Sequence, residues 1–197
     1  MSDEPNPIID NEDDKELLCV ITGPSGVGKG TLIAMLQKKY PGAFSFTTSH
    51  TTRKPRPGEK EGIDYFFTSV EEIEKDIEKK LFLEWARVHD NIYGTSFQAV
   101  REASKKGVPL LDIDVQGARS VYKVTENRKE LDAAFIFLKP PKLEDLKSRL
   151  LRRSTESDEA IQTRLKNAVE ELKVADEKFW NLVLVNDNLE DCFSQLC

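Results

Sequence analysis

Short apolar runs alternate along most of this chain with segments that carry an apolar residue every three or four positions. The runs are predicted to be strands because they are short and bounded by turn residues. They cover residues 17–22, 44–48, 108–115, 133–138 and 182–186. The segments with helical spacing cover residues 32–40, 96–106, 117–124, 143–150 and 161–175, and a short helix follows the last strand. This alternation predicts an α/β fold with a parallel five-stranded sheet and helices on both faces.

Residues 49–96 interrupt the alternation and predict a small inserted α+β lobe. Residues 49–62 contain two prolines, two glycines and several bases, so they are predicted to be a loop. Strands are predicted over residues 63–67, 81–88 and 92–96, and Ser69 and Glu72 form a capping box that begins a helix between them. The expected core then comprises residues 17–48 and 97–197.

The composition favours a globular protein with one sizeable core. The chain has 197 residues, of which 39% are hydrophobic and 32% charged. No run approaches the roughly 18 apolar residues of a membrane span, and the acidic N-terminal residues lack the apolar segment of a signal peptide. The three cysteines (Cys19, Cys192 and Cys197) show no pairing pattern, which is typical of reduced thiols. We therefore expect a cytoplasmic protein that does not contact a membrane.

The formal charge of −6 arises at the N-terminus. Residues 1–16 contain seven acidic residues and one basic residue, whereas the other 181 residues contain 28 of each. A near-neutral body argues against a nucleic-acid partner, because nucleic-acid binders usually carry a large basic excess. We predict that residues 1–16 form a disordered acidic leader.

The strongest chemical signal is a glycine-rich stretch between the first predicted strand and the first predicted helix. It matches the pattern G-x-x-x-x-G-K-[ST] through its lysine. Glycines allow several N–H groups to point at one anion, and the following helix adds its own N–H groups and dipole. The lysine supplies a positive charge for the outer phosphates. The predicted phosphate-binding residues are Gly23, Pro24, Ser25, Gly26, Val27, Gly28, Lys29, Gly30 and Thr31.

This stretch departs from the pattern at one position. The residue after the lysine is Gly30, and the hydroxyl comes one position later at Thr31. A hydroxyl directly after the lysine normally contacts magnesium, and Thr31 is the candidate for that role here. We therefore expect Mg²⁺ to be held here mainly through water, which suits an ion that loses its hydration shell reluctantly.

Two further groups of basic residues predict additional anion contacts. Arg53 and Arg56 lie in the polar loop, and Tyr65 and Tyr93 can add hydroxyl donors. The second group consists of Arg149, Arg153 and Arg164. Two phosphate sites and a separate set of arginines are typical of phosphoryl transfer between two nucleotides, a reaction that needs positioning and charge neutralisation.

Taken together, these stretches resemble the guanylate kinases, which are nucleoside monophosphate kinases of the P-loop NTPase class. The similarity is carried by residues 23–29, 49–59, 62–66, 82–85, 91–94, 111–117 and 185–187. It extends from about residue 17 to the end of the chain, and it implies a GMP-binding lobe at residues 49–96 and a helical lid at about residues 145–165. The implied reaction transfers the terminal phosphoryl group of ATP to GMP and dGMP, giving ADP and GDP in purine metabolism. The implied cofactor is magnesium, and we expect a monomer.

The resemblance also implies roles for individual residues. Arg53, Arg56, Tyr65 and Tyr93 match positions that bind the GMP phosphate, and Ser49, Glu84 and Thr95 match positions that contact the guanine. Asp112 and Asp114 match positions beside GMP, and Asp112 also matches one that orders magnesium. Asn186 matches a position near the adenine of ATP. Lys29, Arg53 and the lid arginines Arg149, Arg153 and Arg164 match catalytic positions, and the lid is expected to reach the ATP phosphates only on closing.

The chemistry of guanine agrees with the role implied for Glu84. Guanine presents a ring N–H and an exocyclic amine side by side, so one carboxylate can accept from both. Adenine has an acceptor at that ring position and would leave the carboxylate unpaired. A site of this kind should reject the wrong base strongly.

Three other readings stay open. Residues 114–117 fit the short D-x-x-G pattern of signalling GTPases, although no Asn-Lys-x-Asp stretch appears. Guanylate-kinase-like domains of scaffold proteins bind protein partners, but they typically carry a degraded phosphate loop and adjoining modules. A kinase for another monophosphate is the third reading, because Lys29, Gly30 and Thr31 follow the G-K-G-T pattern of adenylate kinases.

Overall fold

The computed structural model describes residues 15–88, 90–151 and 158–197, apart from the side chains of residues 158–160. The strands are β1 (Glu16–Thr22), β2 (Phe44–Phe46), β3 (His50–Thr51), β4 (Phe66–Phe67), β5 (Phe82–Val88), β6 (Asn91–Ser96), β7 (Val108–Asp112), β8 (Leu131–Lys139) and β9 (Leu182–Val185). The helices are α1 (Lys29–Lys39), α2 (Val70–Glu78), α3 (Phe97–Ser104), α4 (Val115–Asn127), α5 (Leu143–Leu151), α6 (Asp158–Leu172) and α7 (Leu189–Leu196). A 3-10 turn (Lys173–Asp176) follows α6.

A five-stranded sheet in the order β2-β7-β1-β8-β9 forms the centre of the molecule. Its pairs are all parallel, and Cys19 of β1 lies opposite Leu110 of β7 and Ala134 of β8. The predicted α/β class and the five-stranded parallel sheet are therefore confirmed. The glycine-rich residues 23–31, called the phosphate loop below, follow the carboxyl end of the central strand β1. Open α/β sheets bind their ligands at the carboxyl ends of the strands.

The two faces of this sheet are covered by different helices. Cys19 and Ile21 of β1 contribute to an apolar layer with α1, α5, α6 and α7. Leu18 and Val20 point the other way and pack in a layer with α3 and α4. Alternate residues of a strand face opposite sides of a sheet, so an unbroken apolar run in β1 supplies both layers.

A second sheet, of order β4-β3-β6-β5, lies within residues 50–96. Its β5–β6 and β3–β6 pairs are antiparallel, and its β3–β4 pair is parallel. Helix α2 begins at Ser69, whose hydroxyl accepts from the Glu72 amide while the Glu72 side chain accepts from the Ser69 amide. The predicted capping box is therefore present.

Several boundaries differ from the sequence prediction. His50 and Thr51 were predicted to be loop but form β3, since they pair with β6 on one side and β4 on the other. The strand predicted over residues 63–67 is reduced to Phe66–Phe67. The predicted leader is not described beyond its last two residues, and Glu16 already belongs to β1. Within the described residues, no helix combines the length and apolar character needed to cross a membrane.

Candidate active site

A cleft of about 460 Å³ lies between the carboxyl ends of the parallel strands and the second sheet. Ser25, Gly26 and Lys29 of the phosphate loop line one part of it. Side chains of the polar loop and of β5 and β6 line the opposite part, and the end of β7 contributes Asp112 and Asp114. The cleft therefore brings together residues that are widely separated in the sequence.

The phosphate loop has the backbone shape that its glycines predict. Gly23, Gly26 and Gly28 have φ angles of 147°, 85° and 109°, values that L side chains rarely adopt. A Cβ at Gly23 would also lie 2.2 Å from the Leu138 carbonyl oxygen. Helix α1 begins directly after Gly28, which has no side chain to cap it. The first N–H groups of α1 thus lie at the mouth of the loop, where they can bind an anion.

Lys29 is fixed between the loop and the end of β7. Its Nζ donates to the Gly23 carbonyl oxygen over 2.7 Å and lies 3.8 Å from Asp112 Oδ1. Burial raises the pKa of Asp112, and the charge of Lys29 opposes that rise. Asp114 accepts from the Gly117 amide over 2.8 Å and so caps α4 while also lining the cleft. The structure therefore places a cation and two carboxyl groups around one end of the cleft.

Arg53 is held by the carboxylate of Glu59, a residue for which the sequence predicted no individual role. Its two terminal nitrogens donate to the two Glu59 carboxylate oxygens over 3.0 and 2.8 Å. Glu59 also accepts from the Arg56 amide over 2.7 Å. The Arg53 guanidinium lies 5.3 Å from the centre of the Tyr65 ring, and the Tyr65 and Tyr93 rings are 6.0 Å apart. The predicted anion-binding arginines and tyrosines are therefore brought together, with Glu59 orienting Arg53.

Glu84 is a buried carboxyl group on β5. Only 5% of the residue is exposed, and burial raises its pKa to about 7. A hydrogen bond from Thr95 opposes this rise in pKa, whereas the nearby charge of Asp114 adds to it. The hydroxyls of Ser49 and Thr95 lie 3.3 Å apart. The three residues predicted to contact the guanine thus come together. Burying an ionised carboxylate costs free energy, and a ligand that donates hydrogen bonds to Glu84 would offset that cost.

Two of the three arginines predicted in the lid contact the phosphate loop. Arg149 donates to the Val27 carbonyl oxygen over 3.2 Å and to the Asn186 carbonyl oxygen over 2.7 Å. Arg164 donates to the Ser25 hydroxyl over 2.7 Å. The expectation that lid arginines reach the loop only on closing is therefore wrong for these two. Arg153 lies outside the described residues.

Some predicted site residues do not line the cleft. Asn186 is buried behind the phosphate loop, where its amide donates to the Val27 carbonyl oxygen over 2.7 Å. Thr31 is exposed on α1, whereas Gly30 lines the cleft. The remaining predicted residues outside the lining are Gly23, Pro24, Val27, Thr95, Arg149 and Arg164. Gly23, Pro24 and Val27 belong to the phosphate loop itself, and Arg149 and Arg164 contact it.

The carboxyl groups of the cleft suit a hydrated magnesium ion. Across the described parts of the chain, no group of three His, Cys, Asp or Glu side chains is arranged to hold a metal. Mg²⁺ does not need such a group, since it usually binds through one or two carboxylates, several waters and phosphate oxygens. Asp112, beside Lys29 at the cleft, fits that requirement, and the exposed Thr31 does not add to it.

Comparison with known proteins places the chain among guanylate kinases. The family model described as guanylate kinase matches residues 15–197. The chain is 47% identical to guanylate kinase of Synechococcus sp. (strain CC9311), over 90% of each chain. It is 42% identical to guanylate kinase of Schizosaccharomyces pombe, over 90% of this chain and 86% of that one.

Two further comparisons concern length and structure. The chain is 50% identical to guanylate kinase 1 of Arabidopsis thaliana and 51% identical to that of Oryza sativa subsp. japonica. It spans about half the length of these two relatives, 45% and 46% respectively. Guanylate kinase from Anaplasma phagocytophilum has a similar structure, with a TM-score of 0.66 and 28% identity over 93% of this chain and 84% of that one.

Proposed function

Because this chain belongs to the guanylate kinase family, we propose that it transfers the terminal phosphoryl group of ATP to GMP, giving ADP and GDP. One observation carries the proposal. A single cleft is lined by Lys29 of the phosphate loop, by Arg53 and by the buried Glu84. These groups provide a site for a donor triphosphate, a site for an acceptor phosphate and a contact for guanine, all on one cavity.

The donor side binds ATP through its phosphates. The loop amides and the first N–H groups of α1 hold the phosphate oxygens, and Lys29 neutralises charge on the transferred group. Arg149 and Arg164, already on the loop, add positive charge. Arg153 matches the remaining lid position, and we assign residues of about 145–165 to the lid. The adenine lies toward the Asn186 end of β9.

The acceptor side binds GMP in the lobe of residues 49–96. Arg53 and Arg56 pair with its phosphate, and Tyr65 and Tyr93 donate their hydroxyls to it. The rigid Arg53–Glu59 pair holds one guanidinium in place before the nucleotide arrives. No residue has to act as a general base, because the attacking atom is an oxygen of a phosphate that is already ionised.

Base recognition rests on Glu84, Ser49 and Thr95. The Glu84 carboxylate accepts from the ring N–H and the exocyclic amine of guanine, and the two hydroxyls complete the pocket. Deoxyribose does not alter these contacts, so dGMP is a substrate as well. Asp114 lies beside the bound GMP at the end of β7.

Asp112 is the residue that would hold magnesium, through its water shell. When bound with ATP, the ion would supply positive charge that helps to neutralise the phosphates. The chain itself contributes the Asp112 carboxylate and keeps Lys29 3.8 Å from it. We also propose that one copy of the chain suffices for activity, since one chain supplies the phosphate loop, the lobe and the lid arginines. No nucleic acid takes part.

The substrate preference tests this proposal. We expect ADP release from magnesium-ATP to be fast with GMP and dGMP, and at most about a thousandth as efficient with AMP, CMP or UMP, because none of those bases offers Glu84 a ring N–H beside an exocyclic amine. A coupled ADP-release assay with each monophosphate in turn measures this. Equal turnover of AMP and GMP would contradict the assignment.

The affinity for GMP should depend on pH through Glu84. Only the ionised carboxyl can accept from guanine, and burial raises its pKa to about 7 in the free protein. We expect GMP affinity to fall by about tenfold per pH unit below that value and to level off above it. Calorimetric titration between pH 5 and 8.5 measures the slope.

A matched variant separates this effect from titration of the GMP phosphate. Glu84→Gln cannot ionise, so any slope that remains belongs to the nucleotide or to other groups. In the protein without nucleotide, Glu84 makes the free energy of unfolding depend on pH in the opposite direction. A raised pKa stabilises the folded state at pH values below the ordinary 4.5, and that contribution is lost as the pH rises through about 7. Identical affinity profiles for the variant and the unmodified protein would refute this role of Glu84.

A further inference from the structure

The carboxyl group of Glu84 lies against the first turn of α4. Its oxygen Oε2 faces Gly117, a buried residue whose amide donates to Asp114 Oδ1. A Cβ at residue 117 would lie 2.6 Å from that oxygen and 3.3 Å from the Glu84 Cδ atom. It would also lie 3.3 Å from the Ile113 Cβ. Real Cβ atoms essentially never come within 3.0 Å of another heavy atom, so a side chain here requires Glu84 to move.

The backbone does not require glycine at this position. Gly117 is the third residue of α4 and is absent from the glycines with positive φ among the described residues. Glycine is among the poorest helix formers, so alanine would favour the helix. The amide that caps against Asp114 would also be kept by alanine. An alanine side chain would, however, occupy the space in which the Glu84 carboxylate lies.

That space sets where the carboxylate lies relative to the cleft. Glu84 is 5% exposed and its Oε2 fills the position that a Cβ would take, so the carboxylate sits deep against α4. Displaced from α4, it has the open cleft beside it, because Glu84 lines that cleft. A shift of this kind occupies the volume of the base and changes the alignment of both carboxylate oxygens.

We propose that Gly117 is a positioning residue for guanine recognition, because it provides the room in which the Glu84 carboxylate aligns with the ring N–H and the exocyclic amine. This inference rests on the proposed function. Its specific consequence is that Gly117 determines how well the site distinguishes guanine from hypoxanthine, the purine that keeps the ring N–H and lacks the amine.

The Gly117→Ala variant tests this with GMP and IMP as paired substrates. We expect the ratio of kcat/KM for GMP to that for IMP to fall by at least about tenfold, mainly through KM for GMP, because the contact to the amine is lost. A general loss of structure would lower both values and leave the ratio unchanged. Gln116→Ala, on the exposed side of the same turn, is the matched control and should keep the ratio.

A double-mutant cycle with Glu84→Ala makes the steric argument explicit. Once the carboxylate is removed, Gly117→Ala should not change the GMP to IMP binding ratio any further. The double variant should also melt at or above the temperature of Glu84→Ala alone. The oxygen 2.6 Å from the new Cβ is then gone, the Ile113 Cβ at 3.3 Å has to yield only by a few tenths of an ångström, and alanine favours the helix. This comparison stays informative even if the single Gly117→Ala variant folds poorly.

The outcomes separate this inference from the proposed function. An unmodified protein that does not prefer GMP over AMP would overturn the function itself. An unmodified protein that prefers GMP, with a Gly117→Ala ratio within twofold of it, would overturn the role of Gly117 alone. A double variant less stable than Glu84→Ala would also overturn it, because the clash would then lie elsewhere.

Discussion

Replacing Lys29 by alanine should lower kcat by about a thousandfold at saturating ATP and GMP, as expected for a group that stabilises charge in the transition state. Lys29 is held at the phosphate loop by the Gly23 carbonyl and the Asp112 carboxylate. In the proposed reaction, charge develops on the transferred phosphoryl group next to Lys29. An interaction made mainly in the transition state is lost from kcat and kcat/KM together.

The measurement is the coupled ADP-release assay under saturating and limiting ATP. Lys38→Ala is the matched control, since Lys38 is exposed on α1 and its replacement removes an equal charge from the same helix. The control should keep kcat within about twofold, as expected for an exposed site. A Lys29→Ala variant with normal kcat and only a raised KM for ATP would mean that Lys29 contributes to ground-state binding alone.

Replacing Glu84 by glutamine should abolish most of the preference for guanine. The side chains have the same shape, but the amide nitrogen of glutamine presents N–H groups to the N–H groups of guanine. We expect kcat/KM for GMP to fall by about a thousandfold, while the already low value for AMP changes little. The ratio of GMP to AMP efficiency measures the effect.

A second glutamate provides the control for this variant. Glu71 is exposed on α2 in the same lobe, and Glu71→Gln makes the same chemical change away from the cleft. It should leave the preference for GMP intact. A Glu84→Gln variant that retains the full preference would show that guanine is recognised by other groups, and Ser49 and Thr95 would be the first to examine.

The elements that were predicted well depend on local patterns. The apolar runs of β1 and β8 and the helical spacing of α5 can be recognised in the sequence, because an unbroken apolar run or a period of 3.6 lies within a few consecutive residues. The phosphate loop is equally local, since its nine residues contain the glycines and the lysine, and β1 and α1 adjoin it directly. The buried Glu84 was identified through the resemblance to a family.

The features that were missed depend on contacts between distant parts of the chain. His50 and Thr51 form a strand because they pair with β4 and with β6, which lies about forty residues later. The clash that Gly117 avoids exists only when α4 packs over β5. The role of Glu59 could have been predicted from one local feature, because Glu59 is a carboxylate six residues after Arg53 within a basic loop.

The bracing of the phosphate loop also bears on how the protein is made. The loop is translated before its partners, because its Val27 carbonyl is bound by Asn186, 159 residues later, and β1 pairs with residues of β7 and β8 such as Leu110 and Ala134. On the ribosome these partners are still missing when the loop emerges. The apolar residues of β1 are then without their sheet, and the bracing of the loop is complete only after β9 has been translated and has joined the edge of the sheet.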